Sequence, residues 1–176
     1  MIKPFVSIAF LVLCLLVINC NGVNHCTKYA NTVYQTNVTF PGKKTWYGLV
    51  TLLPNNILFE DDSLGDTNTI AELGLQITVG THSGHYSCPT ATTIAAVDFG
   101  YAYKNPKEPV LKSGALAVHN FYLYLTKDGQ SCTGKFVFAM YPPGSNPFSN
   151  NLKPLLKSGV AKLTCERLKP KGLTLF

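Results

Sequence analysis

Ala115 to Tyr141 reads ALAVHNFYLYLTKDGQSCTGKFVFAMY, and this stretch decides the fold class. Ala115 to Thr126 is a run of strand-forming residues, and Phe136 to Tyr141 returns with Phe136, Phe138 and Met140 on one face. The hydrophobic period is therefore two, that of a strand, and not the 3.6 of a helix. Between them lies Lys127-Asp128-Gly129-Gln130. Asp-Gly accepts positive φ at little cost, so the spacing predicts a tight hairpin.

Working outward, the same period recurs. Thr92 to Tyr103 is a strong strand with Val97, Phe99, Tyr101 and Tyr103 on one face and Asp98 on the other. Upstream, Thr32 to Phe40 (TVYQTNVTF) and Trp46 to Leu53 (WYGLVTLL) read as strands. Pro54-Asn55-Asn56 is a turn signal, and Ile57-Leu58-Phe59 starts another strand. Glu60 to Asp66 is acidic, contains Gly65 and reads as a loop. Ala71 to Val79 reads as a strand with a bulge at Gly74. A Thr/Ser/Gly-rich loop around His82 to Cys88 follows. Downstream, Pro142-Pro143-Gly144 stops a strand, and Val160 to Leu168 is the last one. Pro154 breaks the sole helix candidate. Pro109 to Gly114 and Pro154 to Gly159 echo one another, each just before a strand. About eight strands with frequent turns predict an all-β domain: an antiparallel β-barrel, with a β-sandwich producing the same alternation.

Composition agrees. Only 14% of the 176 residues are charged, well under the quarter usual in soluble domains, which argues against disorder and against a coiled coil. At the N-terminus, Met1-Ile2-Lys3 precedes an almost wholly apolar Phe5 to Ile18, and Cys20 and Gly22 place small residues before a cut. Residues 1–22 therefore read as a secretory signal peptide and 23–176 as a single secreted, extracellular domain. The apolar run falls short of the ~20 residues that span a bilayer, and no transmembrane segment is expected after its removal.

Cleavage removes Cys14 and Cys20 and leaves Cys26, Cys88, Cys132 and Cys165. Four cysteines in a secreted chain predict two disulfides, with three possible pairings. A Cys26–Cys165 bridge would tie the two ends together and leave Cys88–Cys132. Asn37-Val38-Thr39 is a glycosylation sequon.

Charge is unevenly placed. No Lys or Arg occurs from Thr45 to Tyr103, whereas the chain from Lys104 onward is strongly basic. This pattern suits lysines that guard sheet edges, or a basic face for membrane surfaces or acidic glycans. Nucleic acid is excluded as a partner, because Arg167 is the sole arginine and arginine is the main reader of bases and phosphates.

His82-x-x-His85-x-x-Cys88 has metal-like spacing, but Cys88 is needed for a disulfide and no fourth ligand is evident. Glu60, Asp61, Asp62 and Asp66 do not follow the calcium-loop pattern. We expect neither a metal nor a cofactor. The usual nucleophile, phosphate-loop, dinucleotide and zinc-protease signatures are missing, so no catalytic residue is assigned. The aromatic positions Phe99, Tyr101, Tyr103, Phe121, Phe136 and Phe138 are candidates to line a ligand cavity, with Asp98 and His119 as its polar candidates. The plainer reading is core packing for the rings, and a solvent-facing Asp98.

Thr133-Gly134-Lys135-Phe136-Val137-Phe138-Ala139 resembles the T-G-x-F-x-x-A core of the dirigent proteins, relatives of the allene oxide cyclase barrel. Phe59-Glu60-Asp61-Asp62-Ser63-Leu64 is similar to that family's F-D-D-x-L segment, and Gly114-Ala115-Leu116 to its G-T-L strand start. The chain departs from the pattern at Ser131-Cys132, where the family has two glycines, and at Met140, where it has arginine. The resemblance implies an eight-stranded barrel with an apolar cavity and a disulfide between Cys26 and Cys165. It does not supply the family's active-site residues. The expectation is a barrel holding a small apolar or aromatic ligand, with binding rather than catalysis. A sandwich module meeting glycans, membranes or another protein, and a dirigent-like or cyclase-like cavity enzyme, are the alternatives.

Overall fold

The computed structural model describes residues 25–42, 45–62, 77–104, 114–146, 148–149 and 152–169. The expected signal peptide, Asp66, Gly74 and the first copy of the Pro-to-Gly echo up to residue 113 lie outside them. Ten strands follow in chain order: β1 (Thr32–Thr39), β2 (Thr45–Leu52), β3 (Ile57–Asp62), β4 (Ile77–Val79), β5 (His82–Thr90), β6 (Thr93–Lys104), β7 (Ala115–Leu125), β8 (Ser131–Tyr141), β9 (Leu156–Lys157) and β10 (Ala161–Arg167). Among the described residues there is no α-helix, and two short 3-10 turns cover Thr27–Tyr29 and Pro54–Asn56.

Every pairing is antiparallel, and the chain meanders from each strand to its neighbour. β10 pairs with both β8 and β1, which closes the sheet. β4 and β5 form one wall strand whose register on β6 slips by one residue at Gly80–Thr81. β9 and β10 do the same on β8 around Ser158, whose hydroxyl accepts from the Phe138 amide. The result is a closed, eight-stranded, antiparallel β-barrel. Closure removes the edge strands that an open sheet must protect.

Alternation sets the interior. In β1, Thr32, Tyr34, Thr36 and Val38 point inward and are buried. In β7 the inward set is Ala115, Ala117, His119, Phe121, Leu123 and Leu125. One end is plugged by tyrosines whose hydroxyls donate to carbonyls of the surrounding turns. Tyr34 reaches Gly129 O at 2.9 Å, Tyr86 reaches Leu53 O at 2.9 Å, and Tyr29 reaches Ala91 O. The expected Asp-Gly hairpin is present, with Gly129 at φ +66° and Asp128 Oδ1 accepting from the Gln130 amide. Asn55 and Asn56, both at positive φ, make the turn between β2 and β3. The opposite end is rimmed by Phe40, Trp46 and Phe138, with ring centroids 5.2–6.1 Å apart.

Two readings of local structure are corrected. Glu60, Asp61 and Asp62 continue β3 rather than opening a loop. His82 to Cys88 belongs to β5, not to a loop. In both places polar residues mask a period-two pattern: His82, Gly84 and Tyr86 point in, while Ser83, His85 and Ser87 point out.

The disulfides are Cys26–Cys88 and Cys132–Cys165. All four predicted cysteines are bridged, but the Cys26–Cys165 and Cys88–Cys132 pairing is corrected. The register gives the reason. Cys132 and Cys165 are directly opposite on β8 and β10, with Cα atoms 4.9 Å apart. Cys26 precedes the 3-10 turn at the plugged end and comes within 5.4 Å of the Cα of Cys88. The first and last strands do meet, but through the β1–β10 ladder.

Candidate functional site

Four neighbouring wall strands each bring a carboxylate or imidazole side chain into one buried patch. Glu60 on β3 stands directly opposite His82 on β5, and Asp98 on β6 directly opposite His119 on β7. Residues paired this way on one face have Cβ atoms about 5 Å apart, so the register alone gathers the four into one patch. Glycines make the room. A Cβ on Gly100 would come within 2.5 Å of the His82 ring, and one on Gly84 within 2.5 Å of Asp98 Cα.

All four side chains are buried, His82 and Asp98 completely. His119 Nδ1 lies 2.7 Å from Glu60 Oε2 and 3.5 Å from Asp98 Oδ1. The His82 and His119 rings stack at 4.0 Å, with 24° between their planes. One ligating atom from each of the four lies within 4.8 Å of the others. Yet among the described residues both nitrogens of His82, both carboxylate oxygens of Asp98 and Thr36 Oγ1 have no hydrogen-bond partner at good geometry, and their nearest polar neighbours are the Glu60 carboxyl beside Asp98 and the Gly80 backbone beside His82. Leaving a buried polar group unpaired costs about 1–3 kcal/mol, so several poorly satisfied polar atoms in one place make this patch an exception to ordinary core construction.

Burial dominates its electrostatics. It pushes Asp98 up to about 8, with the Glu60 carboxyl adding to the rise. It raises Glu60 well above the usual carboxylate range, helped by Asp62. It pulls His82 down to about 3, with His119 contributing. His119 is lowered by burial, against an opposing pull from Asp98. The patch thus favours protonated carboxyls and neutral imidazoles. Chemically it can accept a cation between two ionised carboxylates and two imidazole lone pairs, or pass a proton between carboxyl and imidazole.

A crevice between Trp46, Asp62, Phe138 and Met140 reaches His119 from the rim. Its volume is about 10 Å³, room for about one water. Phe121 and Phe136 fill the barrel beneath, with centroids 5.1 Å apart, and His119 meets the Phe136 ring edge-on at 5.0 Å.

The sequence-predicted residues divide cleanly. Asp98, His119, Phe121, Phe136 and Phe138 converge inside. Phe99, Tyr101 and Tyr103 do not line the interior, and that expectation is corrected. Tyr101 and Tyr103 are 48% and 42% exposed, and half-buried Phe99 packs on Phe148 with centroids 5.5 Å apart. Alternation forces this outcome, because the strand that turns Asp98 inward turns its odd-numbered neighbours outward. The metal-like motif does not converge either, since His85 points out and Cys88 is bridged. Asp61 faces outward as well. Asn37 sits half-buried in a groove of the outer wall beside Tyr47, Lys162 and Thr164. Sequence reasoning missed Glu60 and His82 as interior groups; the alternation of β5 was the signal that could have found His82.

No family model matches the chain, and neither a curated protein nor a solved structure matches it significantly.

Proposed function

We propose that this chain is a secreted, disulfide-bonded barrel that binds one small polar or charged species at Glu60, His82, Asp98 and His119, admitted past the Phe40–Trp46–Phe138 rim. The observation that carries this reading is the gathering of Glu60, His82, Asp98 and His119 in one buried patch, where His82 and Asp98 are fully buried and make no hydrogen bond of good geometry among the described residues. Buried polar groups are ordinarily satisfied, and a bound species is what would satisfy these. An apolar ligand draws less support, because Phe121 and Phe136 fill the interior and Tyr101 and Tyr103 face outward. Secretion is supported by the apolar Phe5 to Ile18 segment and the two disulfides. Glycosylation at Asn37 belongs to the same proposal. So does a relationship to the dirigent and allene oxide cyclase-like barrels, which the closed eight-stranded meander supports.

A second reading has its own observation. Tyr101, Tyr103, Tyr122 and Tyr124 form an exposed aromatic face on β6 and β7, and Lys135 stands opposite Lys162 on β8 and β10. Such a surface suits glycans or anionic membranes.

Native mass spectrometry of the protein from its natural secretion, before and after denaturation, tests the first reading. The expected result is an extra mass that denaturation releases and that an Asp98→Asn variant with the wild-type circular dichroism spectrum lacks. A bare protein mass, identical in state for wild type and variant, would overturn it.

A further inference from the structure

We propose that Glu60, His82, Asp98 and His119 form a binding site for one divalent transition-metal ion, of which Zn²⁺ is the type case. The inference rests on the reading that this patch binds a small species, and it names the class of that species.

The donor set comes first. Two imidazoles and two carboxylates are the ligand types that borderline ions such as Zn²⁺ select, whereas Ca²⁺ and Mg²⁺ take oxygen ligands. The span comes second. Around a tetrahedral ion with bonds of about 2 Å, ligand atoms stand roughly 3.3 Å apart. His119 Nδ1 is already 2.7 Å from Glu60 Oε2 and 3.5 Å from Asp98 Oδ1. All four ligating atoms fall within 4.8 Å of one another, so small rotations bring them to a common centre.

Unsatisfied capacity comes third. A metal lies in the plane of each imidazole that binds it, so the His82 ring has to turn out of its stack on His119. Among the described residues no hydrogen bond of good geometry holds either nitrogen of that ring or either oxygen of Asp98; the nearest polar neighbours are the Gly80 backbone for His82 and the Glu60 carboxyl for Asp98. The two side chains with the most unsatisfied capacity are thus the two with most to gain from an ion. Charge comes fourth. A divalent ion offsets two ionised carboxylates, leaving a site with no net charge from its four ligands. Four protein ligands make a closed site of the structural or storage kind. The crevice at His119 leaves space for about one water beside it.

Isothermal titration with ZnCl₂ after chelator treatment, paired with thermal unfolding, tests this on the full disulfide-bonded protein. The expected result is one Zn²⁺ per chain and a raised Tm, with no heat or Tm shift from CaCl₂ or MgCl₂. His82→Gln should weaken Zn²⁺ binding by about 100-fold or more. Because that variant could misfold, the wild-type protein is also titrated with CoCl₂. Intense visible ligand-field bands, displaced by one equivalent of Zn²⁺, are expected for a four-coordinate site. If Zn²⁺ and Co²⁺ both fail to bind while the secreted protein carries an organic mass at the patch, the metal assignment is overturned and the small-species reading stands. If no ion and no other mass binds, both fall. Zn²⁺ binding that His82→Gln leaves unchanged would place the ion elsewhere and overturn the site.

Discussion

Asp98 shows what a single residue costs this barrel. Burial pushes its carboxyl up to about 8, against an ordinary 3.8. Between those values the unfolded chain is ionised while the folded chain keeps the proton. Its contribution is therefore fully present below pH 3.8 and is lost as pH rises through 8. Glu60, also raised, acts in the same direction. His82 opposes them. It stays neutral when folded down to about 3 but charges below 6.5 when unfolded, so its contribution is full above 6.5 and is lost as pH falls toward 3. His119 follows His82 in sign. Above pH 6.5 the carboxyls act alone. Urea unfolding of chelator-treated protein should show stability falling from pH 6.5 to 8, with a slope on the order of 1.4 kcal/mol per pH unit for each proton. Asp98→Asn should flatten that slope and unfold at higher urea at pH 8. A variant with the wild-type slope would show that Asp98 is not the group responsible.

At the scale of the strand, alternation makes sharp claims about neighbouring residues. Phe121 and Phe136 are buried against each other, so Phe121→Ala or Phe136→Ala should cost about 3–5 kcal/mol. Tyr101 and Tyr103 stand outside, and Tyr101→Ser or Tyr103→Ser should stay within about 0.5 kcal/mol of wild type. Chemical denaturation of the four variants checks this; equal costs for both sets would mean that β6 is turned the other way. The same alternation marks how far sequence alone could go. Strands such as β6, β7 and β10 were legible because strand-forming residues run through them between clear turns, but the facing of β6 was not, because Phe99, Tyr101 and Tyr103 lie outside and Asp98 inside. β5 was not, because its inward positions are His82, Gly84 and Tyr86, and two of those three carry no hydrophobic signal. The site suffered for the same reason. Asp98 and His119 stood out as polar residues within apolar strands, but Glu60 was hidden in an acidic run and His82 in a run of serine and glycine. The glycines at 84 and 100 that make room for the patch have meaning only once the wall strands are set side by side.

At the scale of the whole molecule, closure depends on residues from opposite ends of the chain. β1 meets β10 with Tyr34 opposite Arg167, and such non-local pairing forms late and slowly in all-β proteins. The two disulfides bear on that closure differently. Cys26–Cys88 spans 62 positions and Cys132–Cys165 spans 33, so loop entropy assigns each about 4 kcal/mol. Their global effects should be similar and their local effects distinct. Cys132–Cys165 lies across the β8–β10 pairing, beside the closing seam. Cys26–Cys88 instead ties the segment ahead of the Thr27–Tyr29 turn to the end of β5. Amide hydrogen exchange separates the two. In a Cys132→Ala, Cys165→Ala variant, β1, β8 and β10 should lose protection first while the β6–β7 hairpin keeps it. In a Cys26→Ala, Cys88→Ala variant, exchange should quicken at the plugged end around Tyr29 and the end of β5, with the seam unchanged. Uniform loss in both variants would show a barrel that opens all at once, with no seam weaker than the rest.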